Sequence, residues 1–514
     1  MIHQAPLPEL LSREWDTCII GSGALGIAMG LALSRAGQSV LVIEAGGEDV
    51  TEESQRFYAC QSIGHPHGGS SDGRFRVFGG STERWGGQAM QFDPIDFEPR
   101  PNLHPEGWPI SRAELADYYS QAEAMMGVAG ADYHRLHAQF SQQAMAAGVP
   151  ATAMAETSAP FQFHHSVFTS QPRLRERYRD EIGRSEKLHV LQNSPAFRLI
   201  STSGSEISGL EIRANGAPAP IRAGTYILAC GCIENVRFLL LQRELYGLSA
   251  LDALPQLGRC MQDHPGAHLG EIHFQRGAFL QDLFRLKLQG TISYKARISW
   301  SDEYRRLSGH PAVSGTLLMM RRASEFEDRH PRSWLARHRH SLSPRHWIKA
   351  LQLASRGIPF SPLHHTYLAV SAEDVRDPDS RISLSEAAKD AFGEPLATID
   401  WKVSEKVATS IIAYLEAFEH FLTSYQLGTL GRFQFTRDAG ELLKRLKDNA
   451  HHIGATSMAS CPSGGVVDRD LKVFGMRNLY IAGTSVLPTG SHANPTLTAL
   501  ALGLRLADHL IAGR

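Results

Sequence analysis

The stretch Thr17–Glu44 reads TCIIGSGALGIAMGLALSRAGQSVLVIE, and its reading decides the fold. Thr17-Cys18-Ile19-Ile20 is a short apolar run of the kind that forms a buried parallel strand. It leads into Gly21-Ser22-Gly23-Ala24-Leu25-Gly26, and a helical pattern follows from Ile27 to Arg35, stopped by Gly37. A second strand pattern, Ser39–Ile43, ends in Glu44. This is G-x-G-x-x-G in its demanding context: strand, glycine turn, helix, strand, and an acid about 20 residues on. Gly21 is expected to make the tight turn, Gly23 to let backbone approach a pyrophosphate, and Gly26 to let the helix pack close. Glu44, followed by Ala45, is expected to receive the ribose hydroxyls of an adenosine. The pattern predicts an α/β fold that binds a dinucleotide, and by itself it does not separate FAD from NAD.

A second unit of the same kind lies further along. The strand pattern Thr225–Ala229 runs into Cys230-Gly231-Cys232-Ile233-Glu234-Asn235 and then a helix pattern, Val236–Leu241. Its helix start is expected at the C-terminal edge of the sheet, where ligands sit in open α/β sheets, so Ala229 and Gly231 join the cofactor-binding candidates. Two cysteines one residue apart make a strained disulfide, and buried small residues are the expected reading. Val190–Leu199 reads as another strand. Arg76–Phe92, RVFGGSTERWGGQAMQF, holds four glycines and a Trp, too many for a regular element. Backbone passing close to a flat ligand is one reading, and a plain Ω-loop is the other. In Pro101–Gly127, Ser111 and Glu114 form a capping-box pattern ahead of a helix.

The C-terminal segment His451–Thr498 carries the chemistry. It holds HHIGATSM, a strand-like run at Asn478–Ala482, and SHANPTLT. An imidazole at His451 can take a proton, and the Asn494 carboxamide can hold a hydroxyl oxygen without changing charge. Asn494-Pro495-Thr496 opens an apolar helix pattern, Leu497 to Leu510, and such a start presents free N–H groups and a positive dipole end.

Composition bounds the rest. The chain has 514 residues, 42% hydrophobic and 20% charged, so two domains are expected. A net charge of −1 gives no global field to draw nucleic acid. No run has the length of an apolar membrane span, and no Sec-type leader pattern opens the sequence. Six cysteines without a CxxC pair fit reduced thiols, and a cytoplasmic location is expected. No set of residues has metal-ligand spacing, and His164-His165 are read as surface or pocket-wall residues. From 271 to 444 the pattern changes to strand-like runs (Ala312–Met319, His365–Ser371, Ile382–Leu384, Ala397–Trp401) with helices near 404–424 and 440–449. That predicts an antiparallel sheet with packed helices. Within it, 321–350 is rich in Arg and His. A solvated helical face is expected there, against a membrane-touching lid or a phosphate-binding stretch.

Five segments together resemble the glucose–methanol–choline (GMC) family of FAD oxidoreductases over nearly the whole chain. They are Gly21–Glu44, VFGGSTERWGG, ILACGCIENVRFLL, LGRCMQDHPG, and HHIGATSM with NLYIAG and ANPTLT. The HANPTLT ending is more similar to the pyranose oxidase and fructose dehydrogenase side of the family. The resemblance implies a Rossmann-like FAD-binding domain assembled from 1–100, 185–270 and 445–514, around an α+β substrate-binding domain from 101–184 and 271–444. It implies His451 and Asn494 as the catalytic pair. Gly79, Gly80, Ser81, Trp85 and Gly87 would lie against the flavin, Gly483 near the ribityl–diphosphate segment, and Asn494, Pro495 and Thr496 at its ring. Some members bond FAD through a His in an STHW motif. Here Arg84 stands at that place in Ser81-Thr82-Glu83-Arg84-Trp85, so FAD is expected to be held non-covalently. His452 occupies a position where many members have Pro.

The expected function is FAD-dependent oxidation of an alcohol, a sugar or sugar-derived hydroxyl first, with the electron acceptor (oxygen, a quinone or a protein) open. The alternatives are a non-redox flavin lyase of the same family, an oxidase or dehydrogenase of a non-sugar alcohol, and, from a different class, an NAD-dependent enzyme or a binding module.

Overall fold

The computed structural model describes residues 1–146, 149–151, 160–214, 217–274, 283–320, 365–430 and 437–513. The Arg- and His-rich stretch 321–350 lies outside them. In chain order the elements used below are β1 (Glu14–Ile20), α1 (Ala24–Arg35), β2 (Val40–Ile43), β3 (Phe161–Thr169), β4 (Leu188–Leu191) and β5 (Ala217–Leu228). There follow α2 (Cys232–Glu244), β6 (Gly266–Phe274), β7 (Ile292–Trp300), β8 (Val313–Met320), β9 (His365–Ala372), α3 (Glu405–Ser424), β10 (Leu479–Ile481) and α4 (Thr496–Ala512).

Short runs of Val, Ile and Leu buried on both faces make parallel strands, and they align in the order β4-β2-β1-β5-β10. The register puts Ile20 beside Ile43 and Leu228, and Leu228 beside Ile481. All four strands therefore end at one edge. The ladder runs one step past them: Gly21 N–H donates to Ile43 (2.8 Å), Ala229 N–H to Ile20 (2.7 Å), and Ala482 N–H to Leu228 (2.7 Å). Each glycine turn is thereby delivered to the same edge, the place where open α/β sheets bind ligands. α1 is buried on most of its surface, and Gly503 of α4 lets Leu25 and Met29 approach.

The second sheet is antiparallel, in the order β6-β9-β8-β7-β3, with the short strand Gly428–Leu430 beyond β6 and Gln88–Ala89 beyond β3. Alternation fixes its two faces. Phe161, Ile298, Trp300, Leu317 and Leu368 pack under α3, against Val407, Ile411, Tyr414 and Phe418. The opposite face carries Gln162, His164 and Ser166 on β3 and Lys295, Arg297 and Ser299 on β7, paired across the strands. It looks toward the C-terminal loops, where the His164 ring lies 5.0 Å from that of His492. The helix Ala116–Met126 and the hairpin formed by Arg381–Lys389 and Pro395–Asp400 pack with the parallel sheet's core.

Two expected elements differ. The run 190–199 is not one strand but β4 and Ala196–Ser201, because Asn193 takes a left-handed φ of 51° and Pro195 has no N–H to donate. The helix expected over 440–449 stops at Leu443, since Lys447 N–H donates to Gly266 (2.9 Å) and leaves the helical ladder. The Ser111–Glu114 capping pair forms as read, with Ser111 N–H donating to the Glu114 carboxylate at 2.8 Å.

Candidate active site

A cleft of about 1030 Å³ opens at the shared edge of the parallel strands, and a neighbouring one of about 760 Å³ continues from it. Gly21, Glu44, Tyr58 and Cys230 line both, so the two join into one elongated channel. The glycines fit a closely held dinucleotide. A Cβ at Gly26 would stand 1.9 Å from the Gly21 carbonyl oxygen, and one at Gly21 would stand 2.4 Å from that of Ala229. A Cβ at Gly23 would meet no atom within 4 Å. Protein packing thus explains two of the glycines, while the third leaves free the space directly before α1, whose first N–H groups favour an anion. Glu44 is buried and accepts from Ser22 N–H (3.1 Å), the Ser22 hydroxyl (2.6 Å) and Gly46 N–H (2.7 Å). Burial pushes its carboxyl up, against the pull of those bonds.

The far end of the larger cleft is walled by His451, His452, Gly483, Pro495 and Thr496. There the Asn494 carboxamide nitrogen lies 2.9 Å from His451 Nε2. His451 Nδ1 lies 2.9 Å from His264 Nδ1, and His264 Nε2 lies 3.0 Å from the Gly490 carbonyl. The carbonyl can only accept, so His264 carries its proton on Nε2 and offers a lone pair at Nδ1. His451 therefore donates from Nδ1, and its Nε2 is left as an acceptor facing Asn494. Burial, with His264 next in effect, pushes the His451 pKa down to about 3. The imidazole is neutral at neutral pH.

Backbone pairing sets this meeting. Met261–Gln262 runs antiparallel to Ile453–Gly454, which brings Asp263 and His264 beside His452 and His451. Asp263 then fixes the loop: its Oδ1 accepts from the N–H groups of His264 (2.6 Å), Asn449 (3.1 Å) and His451 (3.1 Å), and its Oδ2 from His67 Nε2 (3.1 Å). Burial would raise the Asp263 carboxyl, but the His67 bond and the surrounding imidazoles hold it well below the usual carboxylate range. Ala450, just before His451, sits at φ 56°, a conformation costing about 1–2 kcal/mol in a non-glycine residue. Gly69 and Gly73 leave room for its methyl group, since a Cβ on either would stand 2.6 Å from it.

His67, Asp263 and His452 place ligand-type atoms within 4.8 Å of one another. A metal ion does not suit them as arranged. Ser70 N–H donates to His67 Nδ1 (3.1 Å), so His67 carries its proton on Nε2, the atom a metal would need bare. Among the described residues His452 Nε2, which is buried, has no hydrogen-bond partner, and burial pushes its pKa down to about 3.

Of the residues expected at the site, Gly21, Gly23, Glu44, Gly80, Ser81, Ala229, Gly231, His451, Gly483, Pro495 and Thr496 line the larger cleft, and Ala45 the smaller. Gly79 N–H donates to the Ser22 hydroxyl at 3.3 Å, tying the glycine-rich loop to the first turn. Trp85 and Gly87 are not brought to the lining: the Trp85 indole donates to Pro172 (2.7 Å), and Gly87 packs on Thr169 and Pro172. Sequence reading did not single out Asp263, His264 or His67 as site residues. LGRCMQDHPG enters the resemblance as a segment, and its distinguishing feature is two adjacent ionisable side chains, Asp263 and His264, that end up fully buried.

No helix among the described residues is long and apolar enough to cross a membrane. The family model described as GMC oxidoreductase matches residues 377–503. The chain is 25% identical to 6'''-hydroxyparomomycin C oxidase of Streptomyces lividus, over 100% of this chain and 96% of that one. It is 22% identical to the fructose dehydrogenase large subunit of Gluconobacter japonicus, over 96% and 97%. The solved structure of pyridoxine 4-oxidase from Mesorbium loti matches with a TM-score of 0.58 at 17% identity, covering 96% of this chain and 99% of that one. Residues 377–503 form a GMC oxidoreductase C-terminal domain, the full-length likenesses are to oxidases and a dehydrogenase, and the chain is an FAD-dependent oxidoreductase that acts on CH–OH groups.

Proposed function

We propose that this chain oxidises a sugar or sugar-derived hydroxyl to the carbonyl, with His451 and Asn494 as the residues that handle the hydroxyl. The observation that carries this reading is the 2.9 Å contact between Asn494 and an acceptor-state His451 Nε2 at the end of the cofactor cleft. We assign FAD to the joined channel, its adenosine toward Glu44 and Ala45. The cofactor unit comprises 1–100, 185–270 and 445–514, with the helix Ala116–Met126 and the hairpin at 381–400 packed on it.

Bound FAD supplies the acceptor for the hydride leaving the carbinol carbon. The chain's own residues handle the proton. The hydroxyl replaces Asn494 on His451 Nε2, which accepts its proton, while the released Asn494 N–H steadies the same oxygen. A weak base suffices, because a hydroxyl whose carbon is losing hydride becomes strongly acidic. The proton gained makes an imidazolium, which His264 shares through the Nδ1 contact and which the Asp263 carboxylate favours. The start of α4 at Pro495-Thr496 faces the cleft with free N–H groups and stabilises negative charge there.

The names of two relatives, an oxidase of a hydroxyparomomycin and a dehydrogenase of fructose, support a sugar-derived substrate. The test is an anaerobic panel of sugars and simple alcohols, read by bleaching of the flavin and repeated in air for peroxide. Bleaching by sugars supports the proposal. A flavin that no alcohol bleaches sinks it and favours a non-redox role.

A further inference from the structure

The sheet face opposite the cofactor cleft carries an unusual charge. Arg297 on β7 lies across the strand pair from His164, whose ring packs on His492, two residues before Asn494. Ser299 Oγ lies 3.5 Å from His164 Nε2 on the same face. Arg297 is close enough to disfavour protonation of His451, His264, His492 and His164. Lys295 stands two residues away on the same side of the strand. Arg297 therefore borders the catalytic pair, with Lys295 beside it on the strand.

Among the described residues neither has a carboxylate partner. The acids nearest this face are engaged elsewhere. Asp96 is bound to Arg305 at 2.5 Å, Glu373 to Arg100 at 2.6 Å, and Asp263 to His67 at 3.1 Å. Asp93 lies 3.7 Å from the Arg305 guanidinium and accepts from Gln162 at 3.2 Å. Burial pulls Arg297 down to about 10 and, together with Arg297, pulls Lys295 down to about 8. A half-buried guanidinium without a carboxylate partner is disposed to receive an anion.

We propose that the alcohol taken by this site carries an anionic group, a carboxylate or a phosphate, which Arg297 grips with Lys295 in support while the reacting hydroxyl meets His451 and Asn494. The guanidinium fork suits either group through paired charge-assisted hydrogen bonds. The inference rests on the alcohol-oxidation reading of the same site and adds its substrate class.

The test is calorimetric titration of the FAD-loaded enzyme with four matched probes: glucose, glucuronate, glucose 6-phosphate and glucosamine. At least one acidic probe should bind roughly 10- to 100-fold tighter than glucose, with the preference shrinking as salt is raised. Whether the carboxylate or the phosphate leads identifies the source of the anion. Arg297→Gln should abolish the preference, and Arg297→Lys should restore part of it. Equal binding of glucose and both acids, tightest binding of glucosamine, no measurable binding of either acid, or an unchanged preference in Arg297→Gln would each overturn the proposal. Flavin bleaching in the same anaerobic titration separates the two readings. Acid binding without bleaching counts against alcohol oxidation, whereas bleaching with no preference for acids counts against the anion site.

Discussion

The Nδ1 atoms of His264 and His451 stand 2.9 Å apart, with one proton to share, and the Gly490 carbonyl decides which ring owns it. His264 thereby works as a positioning residue that holds the tautomer of its neighbour. His264→Leu should leave the flavin bound but lower its rate of reduction by substrate, roughly 10²–10⁴-fold, because His451 is then free to put its proton on the wrong nitrogen. Stopped-flow absorbance across pH checks this. The variant's rate should also acquire a pH dependence that the wild type lacks, whereas a purely structural role would lower the rate uniformly.

Two glycines of the first turn should fail in different ways. Gly26→Ala drives a methyl to within 1.9 Å of a carbonyl oxygen, so the protein should lose folded yield. Gly23→Val, whose Cβ meets no protein atom within 4 Å, should give a folded but colourless chain, with its side chain standing where the cofactor's phosphates are proposed to lie. Circular dichroism with absorbance at the flavin band distinguishes the two outcomes, and a yellow Gly23→Val variant would contradict the assignment.

FAD should come free on acid precipitation. The place that the resemblance gives to a linking histidine holds Arg84, which is exposed and lies over the Phe75 ring at 5.3 Å. Burial pushes the thiols of Cys230 and Cys232 up, which leaves them neutral and unreactive beside the cleft. All yellow colour is expected in the supernatant, and flavin retained in the washed pellet would contradict this.

Acid should weaken the fold by way of buried imidazoles. His452 has a folded pKa of about 3 against an ordinary 6.5, so the unfolded chain protonates first. Stability is therefore lost as pH falls through 6.5, by about 1.4 kcal/mol per pH unit for this one group. The Asp263 contribution has a different window: its lowered pKa preserves it until the pH drops below the ordinary aspartate range. Urea midpoints of wild type and His452→Phe between pH 7 and about 4 should converge or cross as acid removes the wild type's advantage. A constant gap would contradict it.

The sequence made the cofactor edge legible because each of its parts is local. Gly21, Gly23, Gly26 and Glu44 lie within one βαβ unit, and their roles follow from spacing. The His451–Asn494 pair was reachable because motifs carried it. The rest depends on long-range pairing. Asp263 meets His451 only through the two-residue ladder at Met261–Gln262, and Arg297 faces His492 only because β7 pairs with β3. Neither relation leaves a periodic trace. The composition of the loop around Trp85 does not say which way its indole turns, and the indole nitrogen donates to Pro172.

The central claim is that His451 takes the hydroxyl proton, and anaerobic stopped-flow reduction of the bound flavin in His451→Ala tests it most directly. The variant should stay yellow and folded while reduction by a competent alcohol slows by roughly 10²–10⁴-fold. Reduction at the wild-type rate would contradict the account.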